Sequence, residues 1–146
     1  MEKRRVVVTG LGTFNPLGNN VEEYFKALDA GVSGAGPITR FDASEFNTRF
    51  ACEVKGFDPL QYIDRKEARK MDRYCQFAVA AADQAVADAA IDMEKLDKFR
   101  AGVIIGSGVG GIETMTENMI DFVNGGSHPR FTPFLIPKIY DLLMKL

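Results

Sequence analysis

The sequence is poor in the residues that most often do covalent or metal chemistry. It has one histidine, His128, and two cysteines, Cys52 and Cys75, in 146 residues. One imidazole and two distant thiols give no metal-ligand spacing. Two cysteines without framework spacing make no disulfide scaffold and point to a reducing compartment, so the cytoplasm is the expected location. No run approaches the roughly 20 apolar residues that a membrane helix needs. The opening Met1-Glu2-Lys3-Arg4-Arg5 leads into Val6-Val7-Val8 without the apolar core of a secretory signal. A broad basic excess is also missing: 18 basic residues face 20 acidic ones, for a net charge of −2. That balance argues against a general nucleic-acid binder.

What remains is an ordinary globular composition, 46% hydrophobic and 26% charged, at a length that fits one domain with a real core. Arg5 to Thr9 and Ala101 to Ile105 read as strands buried on both faces, each ended by glycine. Asn19 or Asn20 caps a helix with Glu22 and Glu23 in its first turn, an apolar face at Val21, Phe25 and Leu28, and a stop at Gly31. Residues 31–47 read mainly as loop. Phe50, Cys52 and Val54 then alternate with Ala51, Glu53 and Lys55, the period of a half-buried strand.

The longest helix signal runs from about Arg65 to Ala90. Met71, Cys75, Ala78, Ala82, Ala85 and Ala89 recur at intervals of 4, 3, 4, 3 and 4. This is one stripe, small enough to let a neighbour approach closely. A further helix is expected from about Ile112 to Val123, closed by Asn124-Gly125-Gly126. Buried strands separated by helices point to an α/β protein with a largely parallel sheet.

Gly106-x-Gly108-x-x-Gly111 follows the second strand and opens a helix, which is the form of a dinucleotide fingerprint. The confirming strand with an acidic end is absent: the helix runs into Asn124-Gly125-Gly126 and Ser127-His128-Pro129-Arg130. A tight strand-to-helix turn that needs positive φ and close backbone approach explains the glycines better. A nucleotide-binding α/β domain stands as the third-ranked alternative. Cys52 and Cys75 both fall at apolar positions where burial is expected and no activating base is evident, so packing is their expected role.

Arg65-Lys66-Glu67-Ala68-Arg69-Lys70-Met71-Asp72-Arg73 is more informative, with five basic residues in nine. On a continuous helix Lys66, Arg69, Lys70 and Arg73 would share one face. Cations there oppose the helix macrodipole. Either this is a solvated face offset by Glu67 and Asp72, or it is a docking patch for an acidic partner or a phosphate.

Several strings together resemble a known family. Val6-Val7-Val8-Thr9-Gly10-Leu11-Gly12 with Pro16-Leu17-Gly18, Ser33-Gly34, and Ile38-x-x-Phe41-Asp42 resemble the opening of a β-ketoacyl-acyl carrier protein synthase. The basic segment, Gly106–Gly111, Asn124-Gly125-Gly126 and Pro133-Phe134-Leu135-Ile136-Pro137 match the same family in the same order. The pattern is nearest to the elongating type II members, over about residues 3–138, and residues 139–146 form a divergent tail able to make two helical turns.

The resemblance implies a thiolase-like α/β fold in αβαβα layers, of which this chain is part of the N-terminal half, working as a homodimer without a cofactor. It implies decarboxylative condensation of a cysteine-bound acyl group with malonyl-acyl carrier protein. Two histidines would stabilise the enolate oxygen. By the same resemblance Lys66, Arg69 and Lys70 contact the acidic acyl carrier protein, and Arg130 extends that patch. Val109 borders the acyl pocket at the dimer region, and Phe134 or Leu135 lines it, an apparent one-residue insertion at 127–130 leaving the choice open. No residue of this sequence matches the nucleophilic cysteine or either histidine. The expectation is a polypeptide inactive by itself, or a non-catalytic module that binds acyl carrier protein or a synthase subunit. Unpaired strand edges and an exposed alanine stripe would favour aggregation or dependence on a partner.

Overall fold

Asn20 and Gly31 delimit the first helix by side-chain and backbone chemistry. In the computed structural model, which describes residues 4–126, 128 and 131–140, α1 spans Val21–Asp29. The Asn20 side chain accepts from Glu23 N at 2.8 Å, and the Glu23 carboxylate accepts from Asn19 N at 2.8 Å. The cap thus satisfies one orphan donor of the first turn, and the Glu23 carboxylate ties the residue before the cap to that turn. At the other end Gly31 takes φ +64°. Its N–H reaches Leu28 O at 3.0 Å while Val32 N reaches Ala27 O at 2.9 Å, the paired bonds of a Schellman motif. The expected apolar face is only partly turned inward: Val21, Tyr24 and Ala27 are half-buried, whereas Phe25 and Leu28 are exposed. The row facing in has three-residue spacing, and Phe25 rests beside the Tyr24 ring at 5.6 Å.

The chain forms two compact units. The first comprises Met1–Asp58 with Ala81–Ile91. It holds α1 and an antiparallel ribbon, β1 (Ala35–Pro37) and β2 (Phe50–Cys52), in the register Ala35–Cys52, Gly36–Ala51 and Pro37–Phe50. Part of the expected 31–47 loop is therefore strand. The Glu53 carboxylate accepts from Thr39 Oγ1 at 2.6 Å and Thr39 N at 3.0 Å. Those hydrogen bonds hold the Glu53 carboxyl below its ordinary pKa. The two-residue period of β2 is present, but its phase is opposite to expectation: Ala51 is half-buried while Phe50 and Cys52 are exposed. The burial expected for Cys52 is corrected accordingly. Three residues per strand make too small a ribbon to enclose both faces.

Helix α3 (Arg73–Asp88) gives its second half to this unit. Its small residues meet a backbone loop rather than another helix. Gly10 lies against the carbonyl of Ala85 and the Cβ of Ala89, and Gly12 against the carbonyl of Ala81. Leu11 N donates to Asp88 Oδ2 at 2.9 Å and Thr13 N to Gln84 Oε1 at 3.1 Å. Gln84 Nε2 in turn donates to Asn19 O at 2.7 Å. The alanine stripe is therefore half-covered here, contrary to the exposure expected of it.

The second unit comprises Pro59–Ala80 and Asp92–Leu146. A 3-10 turn at Pro59–Gln61 precedes α2 (Arg65–Ala68), the first half of α3, α4 (Ile112–Asn124) and α5 (Leu135–Tyr140). Ile63, Ala68, Cys75 and Ala80 are buried in it, and α4 packs against α5. The continuous helix expected from Arg65 to Ala90 is two helices, because the chain turns through Arg69–Asp72. Gln76 Nε2 donates back to Ala68 O at 2.9 Å, and Asp72 O accepts from Gln76 N at 3.1 Å. These bonds terminate one helix and start the next. Helix α4 ends one residue beyond expectation, and Gly126 takes φ +73° after it.

The two runs expected as buried strands, Arg5–Thr9 and Ala101–Ile105, form no ladder; Val6 is 91% exposed and Ile104 100%. Their β-branched composition favours an extended chain, yet a strand exists only where a neighbour takes its N–H and C=O groups. Among the described residues the only sheet is β1–β2, so no parallel ladder is formed there. No helix among the described residues is long and apolar enough to cross a membrane. Of the tail, residues 139 and 140 complete α5, and 141–146 lie outside the described residues.

Candidate functional site

The basic segment occupies α2 and the turn after it, within the second unit. Asp64 caps α2, its Oδ1 accepting from Lys66 N at 2.8 Å. Arg69 is the last helical-conformation residue and closes onto Arg65 O at 3.3 Å. Lys70 follows in the turn, and its Nζ lies 2.7 Å from Glu67 Oε1. Lys66 and Arg69 are exposed and Lys70 is half-buried. Arg73 begins α3 and places its guanidinium over the Phe77 ring, 5.2 Å from the centroid. The break in the helix removes the expected shared face of four cations. Lys66, Arg69 and Lys70 stay together on one tight turn, and Arg73 belongs to the next helix.

The helix break eases the electrostatic oddity in part. Carboxylates, Asp64 and Asp72, stand at the two helix starts, while Arg69 and Lys70 follow the carbonyl end of α2. These four charges sit where the backbone dipoles favour them, whereas Arg65 and Lys66 in the first turn of α2 and Arg73 at the start of α3 still oppose the dipole. Glu67 holds Lys70 without covering Lys66 or Arg69, so a compact positive surface faces solvent.

Asp72 is the residue of this segment least visible in the sequence, where it counts only as an offset to nearby cations. It is 8% exposed, and its Oδ2 accepts from Thr114 Oγ1 at 2.5 Å and Thr114 N at 3.4 Å. Thr114 is 6% exposed in the first turn of α4. An aspartate just before an apolar helix carries a capping signature. Its partner 42 residues away carries none.

The glycine segment before α4 divides into two parts. Gly111 takes φ +64°, and a Cβ there would lie 2.7 Å from Ile139 Cα and 2.8 Å from Lys138 O. Gly110 faces the Tyr74 ring, with a built Cβ 2.8 Å from Cζ. A Cβ at Gly106 or Gly108 would meet nothing within 4 Å. Close approach thus explains Gly110 and Gly111, the turn reading, and not the first two glycines of the nucleotide fingerprint. Val109 is exposed between the two parts. Phe134 is exposed just before α5 and Leu135 is half-buried at its start. Arg130 lies outside the described residues.

Cys75 is 2% exposed, inside the second unit; Cys52 is exposed on the ribbon of the first. His128 is exposed. Among the described residues no three His, Cys, Asp or Glu side chains gather as a metal centre requires.

The sequence matches the family described as β-ketoacyl synthase, N-terminal domain, over residues 3–139. It is 47% identical over 137 residues to the 3-oxoacyl-[acyl-carrier-protein] synthase 2 of a Synechocystis species, covering 94% of this chain and 33% of that protein. The ishigamide ketosynthase/chain length factor structure aligns at TM-score 0.80 and 37% identity, over 94% of this chain and 34% of that one. A type II polyketide ketosynthase, solved in complex with its acyl-carrier protein, aligns at TM-score 0.75 and 22% identity, covering 94% and 35%. That last likeness speaks to fold alone. The chain spans about a third of the length of the curated relatives it matches. Its path is that of a ketosynthase N-terminal portion, a thiolase-like α/β architecture. With the family matched from residue 3 to residue 139 and a 3-oxoacyl-[acyl-carrier-protein] synthase 2 sharing nearly half its residues, the chain belongs to the β-ketoacyl synthase family.

Proposed function

We propose that this chain is the carrier-recognising portion of a β-ketoacyl-acyl carrier protein synthase, and that the 146-residue polypeptide by itself binds carrier protein without forming carbon–carbon bonds. The observation that carries this reading is the exposed turn bearing Lys66, Arg69 and Lys70, fixed by caps at both helix starts. A compact cationic surface suits a strongly acidic protein, because complementary potentials steer encounter and set register. The relatives are synthases acting on acyl-carrier protein, and one structural neighbour was solved bound to its own.

The reaction of the whole enzyme is read as decarboxylative condensation in fatty-acid elongation. Malonyl thioester loses carbon dioxide, and the carbanion attacks the carbonyl of an acyl group held on a cysteine, so that the new carbon–carbon bond forms as the carbon–sulfur bond breaks and the cysteine thiolate leaves. Val109 with Phe134 or Leu135 is read as the acyl-pocket border, next to a homodimer contact. The exposure of Val109 and Phe134 in a single chain suits surfaces that a second subunit would cover. The cytoplasm is the compartment in which this chemistry fits. Packing suits Cys75 better than catalysis, because at 2% exposure in the first turn of α3 its thiol is closed to a substrate; Cys52 is exposed on β2, away from any helix start that would favour a thiolate.

Titrating the purified protein with an acyl carrier protein tests this directly. Binding is expected at 50 mM salt and a roughly tenfold or greater loss is expected at 500 mM, since exposed charges are screened within a shortening Debye length. No elongated acyl product is expected from the same mixture. Salt-independent binding would remove the electrostatic basis, and turnover by the polypeptide alone would show that it does form carbon–carbon bonds.

A further inference from the structure

The cationic turn is anchored from beneath by three polar side chains around the start of α3, each tied to a different element of the same unit. Asp72 reaches α4 through Thr114, with Oγ1–Oδ2 at 2.5 Å. Tyr74 reaches α5, its phenol donating to Ile139 O at 3.1 Å. Gln76 reaches back to α2 through Ala68 O at 2.9 Å. The Asp72 carboxylate is buried, and a buried charge persists only where donors replace water. Its short donor is the hydroxyl of Thr114, with the Thr114 and Tyr74 amides at the longer 3.4 and 3.5 Å.

Thr114 is itself three residues after Gly111, the tight left-handed turn that follows Val109. One hydroxyl–carboxylate bond therefore ties the turn carrying Lys66, Arg69 and Lys70 to the segment carrying Val109. We infer that Thr114 and Asp72 are positioning residues for carrier recognition: their buried hydrogen bond fixes the cationic turn relative to the segment at which the carried acyl chain must arrive. The inference rests on the carrier-docking reading and deepens it. Neither residue touches the partner, being buried beneath the surface that does.

Thr114→Val keeps shape and removes the donor, without changing any surface charge. Measured at a temperature where circular dichroism shows every protein folded, it is expected to weaken binding of acyl carrier protein about tenfold, the scale of a lost charge-assisted bond. Thr114→Ser restores the hydroxyl and is expected to bind within about twofold of the unsubstituted protein. Asp72→Asn, which weakens the acceptor while preserving shape, gives a second variant should valine unfold the chain, with the same expected loss. A merely structural role would lower the melting temperature and leave affinity below it unchanged. Unchanged affinity in either folded variant therefore overturns the inference, as does failure of serine to rescue. If the unsubstituted protein does not bind, or reversal of the surface charges has no effect, the docking reading fails instead. If charge reversal abolishes binding and Thr114→Val does not alter it, only the positioning role fails.

Discussion

Replacing Gly12 by valine is expected to lower stability by about 3–5 kcal/mol, combining overpacking against backbone with two lost hydrogen bonds. The side chain would have to enter the space held by the Ala81 carbonyl and approach Ala85 N to 2.8 Å. Both obstacles are helix backbone, which does not yield as a flexible side chain does. If the loop lifts, Leu11 N leaves Asp88 and Thr13 N leaves Gln84. A loss of that size is a large part of the 5–15 kcal/mol typical of a folded domain. Gly36→Ala is the matched control, because nothing lies within 4 Å of its Cβ position. Urea unfolding checks the pair: the Gly12 variant should unfold at much lower denaturant, the Gly36 variant within about 0.5 kcal/mol of the unsubstituted protein. Equal midpoints would mean that the glycine loop does not dock on α3 as described.

Reversing Lys66, Arg69 and Lys70 together to glutamate is expected to weaken binding of an acidic carrier protein about 100-fold or more. Each exposed pair contributes little alone, but reversal exchanges three attractions for three repulsions on one small turn. The turn's fold should survive, since its caps come from Asp64 and Asp72 and its return bond from Gln76. Reversal of Lys95, Lys98 and Arg100 together matches the change in net charge. All three are exposed in the same unit and away from α2 in sequence, and their reversal should leave affinity within about twofold. Calorimetric titration separates the two outcomes. Equal losses from both substitutions would show that total charge, rather than this turn, governs the encounter.

The contrast between these residues explains what the sequence disclosed. Local chemistry was legible: the Asn20 cap, the Gly31 stop, the positive φ at Gly111 and the extent of α4 follow from neighbours a few residues apart. The ordered motifs also disclosed the family, because several short strings in one order constrain identity more than any one of them. Strand formation was not legible. Val6–Val8 and Val103–Ile105 show extended propensity, but pairing depends on a neighbouring strand that a run of valines does not specify. The phase of β2 escaped for a related reason, since alternation gives a period and burial decides which face is inside.

The candidate site was half legible. Clustered lysine and arginine announced the cationic turn, yet helical spacing suggested a four-cation face that the turn at Arg69–Asp72 dissolves. In that turn Asp72 gives its side chain to a partner 42 residues away. Long-range hydrogen bonds leave no periodicity for a linear reading to find.

The most direct test of carrier docking is to follow backbone amide resonances of the isotope-labelled protein as unlabelled acyl carrier protein is added. Lys66, Arg69 and Lys70 are expected to shift first and furthest, while those of the β1–β2 ribbon stay in place. Saturable shifts confined to the ribbon around Cys52, with the cationic turn unmoved, would contradict carrier docking at this turn.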